Sequence, residues 1–153
     1  MAKVISYIQG DGIYGTVTFS QASAFATTII DANIKGLPQG KHGISINVFG
    51  DLSNGFQRLG PHYNPMGKQH GPPDSDDRHV GSLGNIESDG SDAKLHLEDT
   101  HVQVIGPYSV IGRSVVIYEK EDDLGKGTTK QSHINGNVGY PIAAGVIGIA
   151  CNL

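Results

Sequence analysis

An all-β sandwich or barrel with two long loops is the fold class this sequence predicts. Three observations carry it. Twenty-two glycines in 153 residues punctuate the chain at close intervals. Between them lie short runs with period-two alternation, and no window shows the 3.6-residue repeat of a long amphipathic helix. In chain order the expected strands are 4–9, 16–19 (TVTF), 27–35, 44–48 (ISINV), 94–98 (KLHLE), 114–118 and 146–150. Segments 50–82 and 122–141 are rich in Gly, Pro, Asn and Asp and are expected to be ordered loops. Long loops in a compact domain are usually functional.

The length suits one domain spanning 1–153, large enough to bury a core unaided. A formal charge of −4 argues against nucleic acid as a partner. The lone Cys151 has no internal disulfide partner, and the longest near-continuous apolar run, 141–151, falls short of the ~20 residues of a membrane helix. A cytoplasmic protein without membrane attachment is expected.

Seven histidines are many for this length, and His62, His70 and His79 recur at intervals of eight and nine residues. Neutral imidazoles suit zinc or copper, but this spacing is not a compact zinc signature, and from pattern alone solvated loop histidines are the default reading. No Ser-His-Asp order or paired-carboxylate motif stands out. The segment DLGKGTTK (123–130) lacks phosphate-loop spacing.

The stretch HGISINVFGDLSNGFQRLGPHYNPMGKQHGPPDSDDRHVGSLG (42–84), with GTVTF, VIGR, EDDLGKG and GVIGIA in the same order, resembles the copper/zinc superoxide dismutases. The resemblance implies a Greek-key sandwich or barrel of about eight antiparallel strands. It places zinc on His62, His70 and His79, with Ser82 where the family has aspartate, and makes His62 the imidazole shared with copper. Asp122 matches the aspartate that holds a zinc histidine in its tautomer, which keeps His70 orientable. Asp76 and Asp77 lie nearby in sequence as alternative ligands, though nothing in the spacing demands them. Three copper histidines fall on Ser45, Asn47 and Tyr118, so copper is not expected. Ser45 and Asn47 share a strand face, where Tyr118 is placed to hydrogen-bond to either. The family's anion-guiding arginine falls on Pro141, and its disulfide pair on Phe56 and Ala144, a large-and-small pair suited to one packed contact.

The same resemblance implies a twofold homodimer through Gly50, Asp51, Ile111, Gly112, Val146 and Ile149, although Val146 and Ile149 also suit the core. From these departures the sequence leads to one expectation: a catalytically inactive relative that acts by association with itself, with an active dismutase subunit or with a copper chaperone. The alternatives are a zinc-binding module, or a zinc-dependent hydrolase or hydratase using an open three-histidine site.

Overall fold

The computed structural model describes residues 1–151. Eight strands form it: β1 (Ala2–Gly10), β2 (Ile13–Gln21), β3 (Thr28–Lys35), β4 (Gly40–Asn47), β5 (Ser82–Ser88), β6 (Asp92–Asp99), β7 (Ser114–Tyr118) and β8 (Pro141–Ile149). They close into a barrel in the order β1-β2-β3-β6-β5-β4-β7-β8, every pairing antiparallel. Strand β3 pairs with β6 and β4 with β7, so the chain crosses the barrel ends as Greek keys do. The β1–β8 seam runs from Val4↔Ile149 to Gly10↔Ala143 and removes the free edge.

Alternation decides which residues face inward. In β3, Thr28, Ile30, Ala32 and Ile34 are buried while the residues between them are exposed. Phe19, Ile30, Ile46 and Ile86 are fully buried and fill the barrel. Among the described residues, no helix is long and apolar enough to cross a membrane.

The structure departs from the sequence expectation at specific places. Strand β5 lay at the end of the expected first loop; its alternation is broken at Gly84, whose φ of +81° suits glycine. Strand β8 begins at Pro141, five residues before the expected start, because Ala143, Ala144 and Gly145 are weak strand formers held by the β7 ladder. The second loop contains a helix, α1 (Lys130–Asn135), with Thr129 as N-cap accepting from the Ser132 amide and left-handed Gly136 as C-cap. Val146 and Ile149 are 40% and 82% exposed and do not serve the core, and Ile111 is exposed as well. Gly50 lies against Val146, where a Cβ would sit 3.1 Å from that side chain and 2.3 Å from the Gly112 carbonyl oxygen.

A second apolar cluster joins the loops to the barrel: Leu59, Val116, Tyr118, Val138 and Ala144 are buried, with Phe56 packed against them. Phe56 thus fastens the first loop to the wall that holds Ala144. We expect Phe56→Ala to lower unfolding free energy by about 1–3 kcal/mol in a denaturant titration, for the apolar area it uncovers. A loss below the error of the titration would show that the loop is held without it.

Candidate metal centre

The loop between β4 and β5 is bonded onto β4 by its main chain. The Tyr63 amide donates to the Ile46 carbonyl at 2.8 Å, Ile46 donates to Gly81 at 2.9 Å, and Gly81 returns the bond to Tyr63 at 2.9 Å. A side chain at Gly81 would meet the Ile46 oxygen at 2.1 Å, so only glycine allows this approach. His62 forms a β-bridge with Asn47 and is thereby fixed beside the strand.

Arg78 fixes the other arm of the loop. It is 1% exposed, and it donates to Asp99 (2.5 Å) and to the carbonyls of Pro73 (2.7 Å), His79 (3.1 Å) and Val80 (2.7 Å). A buried guanidinium is tolerated only when paired in this way. Its neighbour His79 is carried inward. The sequence reading left Arg78 out, although an arginine next to a candidate ligand is a legible signal.

His62, His70 and His79 therefore meet. All three are buried, their ring centroids are 5.3–5.6 Å apart, and one nitrogen from each lies within 4.8 Å of the others. Nδ1 of His62 is 3.1 Å from Nδ1 of His79. Nε2 of His70 lies 2.7 Å from Oδ1 of Asp122, and its Nδ1 lies 3.0 Å from Oγ of Ser82. A carboxylate only accepts, so the His70 Nε2–H donates; Nδ1 then keeps a lone pair and accepts from the serine hydroxyl. This is the tautomer a metal ligand needs.

Asp122 is placed by a glycine. A Cβ on Gly136 would sit 1.8 Å from Asp122 Oδ1 and 2.9 Å from His70 Nε2, so the cap of α1 yields the space in which the pair forms. Asn85 of β5 bonds both the amide and the carbonyl of Asp122, at 2.7 and 3.0 Å.

Burial, reinforced by His70, pushes His62 down to about 3 and His79 down to about 4. Both rings are neutral at ordinary pH, the form that binds metal. Nε2 of His62 is buried without a hydrogen-bond partner. Three convergent neutral imidazoles with Ser82 alongside fit a tetrahedral zinc ion. Asp76 and Asp77 are not brought in: exposed Asp76 lies 3.9 Å from His101, and Asp77 only approaches the Gln69 amide at 3.5 Å.

Beside His62, which is bridged to Asn47 and whose ring centroid is 6.4 Å from that of Tyr118, the side chains of Ser45, Asn47 and Tyr118 form one buried network. The Ser45 hydroxyl donates to Asn47 Oδ1 at 2.6 Å and lies 3.0 Å from the Tyr118 hydroxyl. Asn47 Nδ2 donates to the Gly60 carbonyl at 2.8 Å and approaches the phenol oxygen at 3.2 Å. Burial raises the Tyr118 phenol above its usual value, against the lowering effect of these bonds. A cavity between the two loops opens here, lined by Phe56, Leu59, His62, Tyr118, Ile134 and Pro141.

Residues 13–147 match the pattern of the family described as copper/zinc superoxide dismutase. The chain is 48% identical to a superoxide dismutase [Cu-Zn] of Cordyceps militaris and 49% identical to one of Claviceps purpurea, over 98% of this chain and 99% of each relative. It is 43% identical to superoxide dismutase [Cu-Zn] 5 of Dictyostelium discoideum, over 97% of this chain and 98% of that protein.

These findings correct the expectation of a catalytically inactive, non-enzymatic protein. That expectation rested on the side chains beside His62. The relatives are named as enzymes and match along nearly the whole chain, and three positions read by resemblance do not establish loss of activity. The heterodimer with an active dismutase subunit or a copper chaperone gains no support from these findings.

The neutral rings make the metal-free protein sensitive to acid. The unfolded chain, with imidazoles near 6.5, binds protons that folded His62 and His79 refuse until about 3 and 4. Their contribution to stability is therefore complete above pH 6.5 and is lost as pH falls from there through the folded values. Thermal midpoints of metal-free protein should fall between about pH 7 and about pH 4, and His79→Gln should flatten the slope. An unchanged slope in the variant would assign the acid sensitivity to other groups.

Proposed function

The chain belongs to the copper/zinc superoxide dismutase family, and we propose that it is a metal-dependent member whose seat is His62, His70 and His79, with zinc as the resident ion. One observation carries the reading: three buried imidazoles converge, and one of them is fixed in the ligating tautomer by Asp122. Ser82 stands by as an uncharged fourth group, and a hydroxyl in place of a carboxylate weakens attraction for a dication.

The relatives' name makes superoxide dismutation the reaction to assay here. Electron transfer needs a redox ion, and copper binds nitrogen donors ahead of zinc. Among the described residues, the three histidines are the one cluster of three ligating side chains, so we assign any turnover to copper held there. Ser45, Asn47 and Tyr118 stand where the family has copper histidines and form the wall beside that seat.

The exposed side chains of Ile111, Val146 and Ile149, with the close approach of Gly50 to Gly112, support a twofold homodimer; Asp51, bonded to Ser53, closes the adjoining turn.

Zinc should raise the melting temperature in a concentration-dependent way, through preferential binding to the folded state. His70→Ala should abolish the shift and Ser82→Asp should enlarge it. A melting curve unmoved by zinc well above micromolar would remove the seat. Copper-loaded protein should dismutate superoxide faster than free copper only while His70 is present; equal rates would leave the seat to zinc alone. For the dimer, sedimentation should show Ile111→Glu as a monomer at concentrations where the unchanged chain is a dimer, since the variant buries an unpaired charge.

A further inference from the structure

We propose that the protein seats one metal ion per chain, so that copper entering it displaces zinc rather than settling in a second position beside it. This rests on the seat proposed above at His62, His70 and His79. A second ion would have to use the far side of His62, where Nε2 is the free nitrogen. The groups beside His62 are a hydroxyl, a carboxamide and a phenol, with Asn47 bridged to His62 through the main chain and the Tyr118 ring centroid 6.4 Å from the imidazole, and each is already committed. The Ser45 hydroxyl is spent on Asn47 Oδ1, the Asn47 amide on Gly60 and the phenol, and the Tyr118 oxygen lies within reach of both partners.

The network is also stiff. Ser45 and Asn47 are 2% and 4% exposed on β4, and Tyr118 is 6% exposed at the end of β7. The β4–β7 ladder holds Ser45 opposite Val116 and Asn47 opposite Ser114. Freeing an oxygen for a metal would break buried hydrogen bonds and return only neutral oxygen donors, which copper and zinc favour less than imidazole. One nitrogen with three engaged oxygens does not make a copper seat, so the family's second metal does not fit here. Copper then has one competitive destination, the imidazole trio, and its higher place in the affinity order of divalent ions lets it evict zinc.

Metal-free full-length chain equilibrated with zinc sulfate, then with copper sulfate, and desalted can be counted by atomic emission. The expected sum is one ion per chain at both stages, zinc first and copper after, with zinc recovered in the wash. The variant carrying Ser45→His, Asn47→His and Tyr118→His should raise the sum from one to two. Should that variant fail to fold, zinc release is followed in the original chain with a chromogenic chelator while copper binding is read by electron paramagnetic resonance. Copper uptake without zinc release, or a sum of two in the original chain, would overturn the inference. A sum of zero would instead remove the seat itself.

Discussion

The buried guanidinium of Arg78 is the constraint on which the site most depends. It lies between the loop that carries His79 and the end of β6 that carries Asp99, and it binds carbonyls on both sides of its own position. Asp99 in turn accepts from the amides of His101 and Val102, so the same carboxylate orders the chain leaving β6. A charge in that place must be matched on all sides, because unpaired it would cost several kcal/mol. The matching leaves the loop one conformation, and in that conformation His79 faces His62 and His70.

Much of this arrangement was legible in the sequence, for reasons that differ from part to part. Alternation in 28–35 follows from burial on one face, so β3 could be read to within one residue. Nine glycines and prolines in residues 50–73 mark a segment that cannot hold a ladder, so the first loop was equally plain. What escaped notice was decided by partners distant in sequence. The alanines of β8 pair with β7 because the barrel must close, not because alanine prefers a strand. The short helix went unread because six residues are too few to show a period, although Thr129 and Gly136 cap it.

The candidate site shows the same division. The spacing of His62, His70 and His79 says nothing by itself about convergence, since the three are brought together by main-chain bonds to β4 and by Arg78. Residue identities beside His62 led too far, from the side chains that stand there to an expected loss of activity. The structure gives those side chains a physical description instead: Ser45, Asn47 and Tyr118 satisfy one another in a dry pocket, as buried polar groups must.

The contact between His70 and Asp122 joins two loops separated by 52 positions in sequence, and Gly136 leaves the space for it. Neither loop owns the pair. Motions of the two loops are consequently coupled: the His70 amide also donates to the His133 carbonyl of α1 at 3.3 Å, so an ion on His70 restrains a helical segment it never touches. Amide protons of α1 should thus exchange with solvent on the timescale of metal release rather than on that of helix fraying. Two stretches far apart in the chain would open as one cooperative unit, with the ion as their common clasp.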